Sequence, residues 1–334
     1  MTTIPLRRLV ALVSAILAAI AVLSACSSTG GKADTSGGGA SAGKASTPQF
    51  TVAMITHGPP GDTFWDLIRK GAEAAAAKDN IDLKYSSELQ APDQANLVQN
   101  AIDSKVDAMA VTLAKPEALA PAVEKAVTAK IPVVAFNAGI DNWKSMGAMS
   151  FFGQDEKVSG EAAGKRLKDE GAKKVICVIQ DQGNVALESR CAGVLAGMGG
   201  SGVENLNVNG TDLPSVQATI SAKLQQDTSV DHIITLGAPM ALTAVKSAGD
   251  AHSSAKIATF DTNAALVDAI KYNQVEWAVD QQPYLQGYLA VDSLWLYLNN
   301  RNVIGGGLPT LTGPAFVDKS NINAIADYAK SGTR

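Results

Sequence analysis

The residues best equipped for chemistry lie where short apolar runs end. His57-Gly58 follows the run FTVAMI, and Leu113-Ala114, Asn137-Ala138, Gln180-Asp181, Gly237-Ala238, Asp261-Thr262 and Gln281-Gln282 each close another such run. Carboxylates and amides in these places can make paired hydrogen bonds to neighbouring hydroxyls. The stretch HGPPGDTFW, from His57 to Trp65, adds an acid and two adjacent aromatics, whose faces could cover the C–H patches of a sugar ring. A phosphate loop, a catalytic turn and a sugar-stacking loop share that composition. Each strand-end residue, taken singly, also has a plainer reading as a helix N-cap or turn residue.

The elements between these positions decide what they can do together. From Phe50 onward, β-branched or apolar runs alternate with amphipathic stretches at helical period. FTVAMI precedes a helix from about 63 to 78, IDLKYS one from about 92 to 104, and VDAMAVTL one from 117 to 130, with IPVVAFN next. The rhythm resumes with KKVICVIQ before a helix near 185–198, then ENLNVN, DHIITLG, KIATFD and VEWAVDQ, each followed by a helical stretch. Strands alternating with helices imply right-handed crossovers and parallel sheets. Two such series predict an α/β fold of two doubly wound lobes, whose ligands bind beyond the carboxyl ends of the strands. The strand-end residues then converge on one cleft.

Several chemistries are excluded. The three histidines, His57, His232 and His252, show no metal-ligand spacing, and no GxSxG elbow or Ser/His/acid set is present, so neither a metal site nor catalysis is expected. GGASAGK, residues 38–44, imitates a phosphate loop but has Ala45 where Ser or Thr is required and no flanking strand or helix. The GxGxxG at 197–202 follows a helix instead of a strand and reads as a helix C-terminal turn. Lys and Arg total 28 against 32 Asp and Glu, a net charge of −4 without a dense basic cluster, which argues against nucleic acid as partner. With 46% hydrophobic and 18% charged residues, the chain can bury a substantial core. No cofactor is implied.

The N-terminus is of another kind. Arg7 and Arg8 precede an apolar run from Leu9 to Ala25 that ends in Leu-Ser-Ala-Cys26, the layout of an export signal. Leu-Ser-Ala-Cys resembles a bacterial lipobox, which would make Cys26 the lipidated first residue of the mature chain; an uncleaved membrane anchor is the alternative. Residues 27–49, nearly all Ser, Gly, Ala, Thr and Lys, form a flexible tether. The expected location is extracytoplasmic, lipid-anchored to the cell membrane. In an exported chain Cys177, mid-strand, and Cys191, in the following helix, read as a candidate disulfide, with two buried thiols as the alternative.

With signal, tether and two lobes assembled, the chain resembles a type I periplasmic binding protein of the ribose-binding kind, an ABC transporter substrate-binding lipoprotein. The resemblance rests on DTFW at 62–65, IPVVAFNAG from Ile131, FFGQDEKVSGEAAG from Phe151, FDTN from Phe260, VDQQPYLQGYLA from Val279 and LTGPAFVDKSN from Leu311. It implies one lobe from 50–153 and 282–309 and another from 154–281 and 310–334, joined by three crossovers. The implied solute-binding residues are Asp62, Phe64, Trp65, Asn137, Gln154, Glu188, Gly237, Asp261 and Gln281. Asn137 falls where the family often has Asp, Glu188 where sugar-binding relatives often have Arg, and Gly237 where Asn is common; Asp261 and Gln281 match. Implied partners are a neutral pentose, hexose or sugar alcohol and the permease of an ABC importer, with the receptor a monomer. Asp62, Glu188 and Asp261, with no Arg placed in the cleft, leave a cationic ligand open. A sensory receptor presenting a sugar or quorum signal to a membrane kinase is the alternative function. A lipid-anchored enzyme is disfavoured for want of a nucleophile or metal set.

Overall fold

The structure is a computed structural model that describes residues 44–334. The expected signal with Cys26, and tether residues 27–43, lie outside the described residues. In the first lobe, strands β1 (Phe50–Thr56), β2 (Ile81–Ser87), β3 (Ala108–Thr112), β4 (Val133–Phe136), β5 (Phe151–Gly153) and β11 (Thr310–Leu311) form one sheet in the order β2-β1-β3-β4-β5-β11. All its pairings are parallel. In the second lobe, β6 (Val175–Ile179), β7 (Val203–Asn207), β8 (His232–Thr235), β9 (Lys256–Phe260), β10 (Trp277–Asp280) and β12 (Ala315–Asp318) take the matching order β7-β6-β8-β9-β10-β12. Only β12 runs antiparallel, against β10.

Helices cover both faces of each sheet, which is why the strands are apolar on both sides. Val52 and Met54 of β1 pack with Ile68 of helix α1 (Thr63–Asp79) and Leu294 of α9 (Pro283–Asn300). The alternate residues Ala53 and Ile55 meet Val98 of α2 (Ala91–Asp103) and Leu119 of α3 (Pro116–Thr128). The second lobe repeats this. Cys177 and Ile179 of β6 face Leu167 of α4 (Glu156–Asp169) and Val194 of α5 (Val185–Gly197). Ile176 and Val178 face Ile220 of α6 (Leu213–Gln226) and Ala244 of α7 (Ala238–Asp250), beside α8 (Ala264–Lys271) and α10 (Ala326–Ser331).

The chain crosses between lobes after β5 at Gln154-Asp155, after β10 at Gln281-Gln282, and through Thr312–Pro314 between β11 and β12. The last crossover corrects the boundary expected between 309 and 310. Thr310 and Leu311 are hydrogen-bonded alongside Phe152 and Gly153, so the backbone ladder keeps them in the first sheet.

Two crossing helices, α4 and α9, are keyed to the helices that begin at the cleft. A Cβ on Gly71 of α1 would come within 1.9 Å of Tyr284 O, and one on Gly287 of α9 within 2.0 Å of Ile68 O. Between α4 and α5 the same intimacy involves Gly160 and Gly164 against Gly193 and Gly197, where any added Cβ would meet backbone at 2.2–2.4 Å. Gly197 is therefore a packing residue, and Gly199, Gly200 and Gly202, all at positive φ, make the turn toward β7. Cys177 of β6 and Cys191 of α5 are joined as a disulfide with Cα atoms 5.9 Å apart. Replacing both with Ala opens a closed loop of about 15 residues and is expected to lower stability by about 3 kcal/mol. Denaturant unfolding of the Cys177→Ala/Cys191→Ala protein checks this; an unchanged midpoint would show that the bond constrains nothing.

Candidate functional site

Matching strand orders place equivalent residues of the two lobes opposite each other. His57 after β1 corresponds to Gln180 after β6, Asn137 after β4 to Asp261 after β9, and Gln154 after β5 to Gln281 after β10. Asn137 and Asp261 share more than position. Both adopt a left-handed backbone, with φ of 64° and 65°, which Asn and Asp tolerate better than most residues. Each backbone N–H donates 2.8 Å to the neighbouring strand, at Phe152 O and Val279 O. Between the lobes lies a cavity of about 260 Å³ that reaches from Asn137, Asp261 and Gln281 to Leu89 and Asn209.

The first lobe supplies a wall built around two aromatic side chains, Phe64 and Trp65. Asp62 accepts from Phe64 N at 2.8 Å and so caps α1, which throws Phe64 and Trp65 forward onto the cavity. Trp65, 8% exposed, stacks edge-on against His57 at 4.6 Å and Phe64 at 5.2 Å. A Cβ at Gly58 would strike the Trp65 indole at 2.2 Å, which explains the glycine in HGPPGDTFW. The Asp62 carboxyl also lines the cavity, and burial raises its pKa against the pull of the Phe64 and Trp65 amides.

The second lobe supplies a buried polar chain. Arg190, 3% exposed, forms a bidentate pair with Glu156: Nη2 donates to Oε1 at 2.9 Å and Nε donates to Oε2. Its Nη1 donates to Leu236 O at 3.3 Å and lies 3.9 Å from Asp261 Oδ2. Gln281 Nε2 donates to Asp261 Oδ1 at 2.8 Å, and Gln281 Oε1 accepts from Gln286 Nε2 at 2.9 Å and from Asn137 Nδ2 at 3.4 Å. Gln286, at the start of α9, also accepts from Asn137 Nδ2 at 3.2 Å. The chain thus runs from Glu156 through Arg190, Asp261 and Gln281 to Asn137, from one lobe to the other across a crossover.

Two expected site residues are placed elsewhere. Glu188 is exposed and lines no part of the cavity; its carboxylate reaches back over the start of α5 to accept from Gly183 N at 3.0 Å. The cleft face of α5 carries Leu187 and, one turn on, Arg190, and Glu188 is rotated away from both. The cleft therefore has an arginine, which removes the basis for a cationic ligand. Gln154 also lies off the cavity. Fully buried, it donates from Nε2 to Glu156 Oε2 at 2.8 Å and accepts from Ser159 Oγ at 2.9 Å, so it steadies the partner of Arg190. Gly237, at the N-cap of α7, does line the cavity, as do Asp62, Phe64, Trp65, Asn137, Asp261 and Gln281.

His57, one of the strand-end residues, also lines the cavity, as do Asn184, Leu187 and Met240, which were not expected there. Asn184 Oδ1 caps α5 by accepting from Ala186 N, and its Nδ2 donates to Asp181 Oδ2 at 3.1 Å and to His57 Nε2 at 3.2 Å. His57 Nε2 is then an acceptor, and Nδ1–H donates to Thr112 Oγ1 at 2.7 Å. Burial lowers the His57 pKa to about 4, Asp181 opposing and Lys115 and Arg190 reinforcing the shift, in keeping with this neutral tautomer. Lys115 Nζ to Asp181 Oδ1 at 3.0 Å and Val185 N to Ala114 O at 3.0 Å also bridge the lobes, so the cleft is closed. Among the described residues no group of His, Cys, Asp or Glu could hold a metal ion, and no helix is long and apolar enough to cross a membrane.

Residues 52–302 match the periplasmic binding protein domain family, and the chain belongs to it. The lobes have the type I fold of that family, that of sugar-binding transport proteins of the ABC type. The chain is similar to a carbohydrate transporter from Acidothermus cellulolyticus 11B, solved in complex with myo-inositol: 58% identity, TM-score 0.85, 86% of this chain and 100% of that one covered. An ABC transporter solute-binding protein from Agrobacterium vitis with bound D-fucose shows 26% identity and a TM-score of 0.75, covering 84% and 99%. The xylose/arabinose-binding protein XylF of Sulfolobus acidocaldarius is 24% identical over 247 residues, which span 68% of this chain and 60% of that relative's length.

Asp261 makes the site pH-dependent. Burial drives its pKa up to about 7, with Asp280 and Glu156 reinforcing the rise and Arg190 and Gln281 opposing it. Between the ordinary carboxylate value of 3.8 and about 7, the folded state holds a proton that the unfolded state lacks. Its contribution to stability is therefore present below pH 4 and lost as pH rises to 7. The thermal midpoint of Asp261→Asn should gain on the wild type between pH 4 and 7 and run parallel above that. A constant gap from pH 4 to 8 would show that Asp261 ionises normally. The His57 contribution has the opposite slope and cancels in this comparison.

Proposed function

We propose that this protein is an extracytoplasmic solute-binding lipoprotein, held at the cell membrane through Cys26, that captures a sugar or sugar alcohol and delivers it to an ABC importer. The observation that carries the reading is the chain Arg190–Asp261–Gln281–Asn137 along one side of a closed cavity whose other side is Phe64 and Trp65. Donors and acceptors arrayed against aromatic faces fit a ring with hydroxyls on its rim and C–H groups on its faces. At about 260 Å³ the cavity lies below the ~300–1,000 Å³ usual for drug-sized ligands and suits a single monosaccharide or cyclitol. The 58%-identical relative in complex with myo-inositol makes that cyclitol the first candidate. Its contacts across the cleft support capture by closure, which selects one lobe arrangement on binding.

A thermal-shift panel of pentoses, hexoses and cyclitols on the protein without its export signal tests the reading. A true solute at 100 times its Kd should stabilise by about 2.7 kcal/mol. Asp261→Ala should abolish that shift while retaining a cooperative transition, because Arg190 keeps Glu156. Stabilisation by an amine or amino acid and by no polyhydroxylated compound would overturn the assignment.

A further inference from the structure

We infer that Gln180 contacts the solute and sets its specificity: its side-chain carbonyl accepts a hydroxyl on the solute edge remote from Asp261. The inference rests on the binding of a polyol proposed above and narrows the class to rings hydroxylated on both edges. Among the described residues, four buried side-chain atoms have no hydrogen-bond partner, and Gln180 Oε1 is the one that belongs to a cavity-lining residue. Its counterpart in the first lobe, His57, has both ring nitrogens engaged. Gln180 Nε2 donates to Leu236 O at 3.4 Å, the same carbonyl that accepts from Arg190 Nη1 at 3.3 Å. Turning the amide would set Oε1 against that carbonyl, so the acceptor is left for something else. The polar array on the second lobe therefore continues past Arg190 to Gln180.

Gly210 makes room for this side chain, and Gly237 borders it. A Cβ on Gly210 would come 2.7 Å from Gln180 Cβ, and one on Gly237 would come 3.4 Å from Gln180 Nε2, so a longer residue at 237 would compete for the same space. Strand order sets the span. β6 is separated from β9 by β8, so Gln180 and Asp261 start two strand spacings apart, roughly 10 Å. A solute gripped by Asp261 and Arg190 at one edge thus presents its far edge to Gln180. A buried acceptor without a partner is unfavourable until a hydroxyl fills it, and that is how such a residue discriminates against a deoxy analogue.

Calorimetry with myo-inositol and the set of monodeoxy-inositols, on wild type and Gln180→Leu, tests this in the protein without its export signal. Gln180→Leu should weaken myo-inositol about tenfold or more. One monodeoxy-inositol should bind wild type correspondingly weakly and lose nothing further in the variant. The ligand-free thermal midpoint of Gln180→Leu should be equal to or above wild type, since an orphaned acceptor is removed. Equal affinity of both proteins for myo-inositol, a variant that weakens every monodeoxy-inositol by the same factor, or a lowered ligand-free midpoint would overturn the role of Gln180 and leave polyol binding standing. Wild type that binds no polyol at all would overturn both.

Discussion

One buried guanidinium shared between two carboxylates is the constraint from which the site follows. Arg190 is almost fully enclosed and must be paired there, because an uncompensated buried charge is strongly unfavourable. Glu156 accepts from Nε and Nη2 of the guanidinium, and Gln154, itself held by Ser159, donates to Glu156. Asp261, 3.9 Å away, is left with the remainder of the positive field. With two acids to one base, the cluster favours one proton, and burial puts it on Asp261, whose pKa rises to about 7. The result is a carboxyl incompletely matched by the protein and turned toward the cavity, free to complete its hydrogen bonding on a solute.

The same cluster depends on how the chain changes lobes. Glu156 opens α4 just after the first crossover, Gln281 sits on the second, and Gln286 lies in the first turn of α9 beyond it. Through glycine contacts α4 is keyed to α5, which carries Arg190, and α9 to α1, which carries Phe64 and Trp65. Each wall of the cavity is therefore packed rigidly onto a helix that begins at a crossover. The disulfide adds a second tie between α5 and β6, the strand that leads into Gln180. A change in the angle between lobes moves whole walls as units, with the polar chain at the pivot and His57, Lys115, Asn184 and Asp181 meeting at the closing edge.

The two-lobe α/β class was legible because periodicity is strong in long helices and in strands buried on both faces. Strand ends point to Asn137, Asp261 and Gln281, and the structure places all three on one cavity, since topology alone brings such positions together. β5, β11 and β12, of three, two and four residues, are too short to display a period, which is why the last crossover was placed two residues early. Glu188 was chosen by position along the chain, whereas the phase of α5 decides which side chain faces inward. A signal was present: Ala186, Leu187, Cys191 and Val194 mark an apolar stripe, and Arg190 falls inside it. An arginine in such a stripe demands a buried acid, and that acid, Glu156, stands 34 residues away in another helix, where no local pattern links the two. His57 has no catalytic partner visible in the sequence; its hydrogen-bond partners, Thr112 and Asn184, are supplied by one strand and by the opposite lobe.

A crystal structure of the protein grown with myo-inositol tests the central claim most directly. The account predicts a single ring between the lobes, with its oxygens within hydrogen-bond reach of Arg190 and Asp261 and one face on Phe64 or Trp65. The Glu156–Arg190 pair should be unchanged. A ring bound elsewhere, or one in the cleft that touches neither Arg190 nor Asp261, would contradict it.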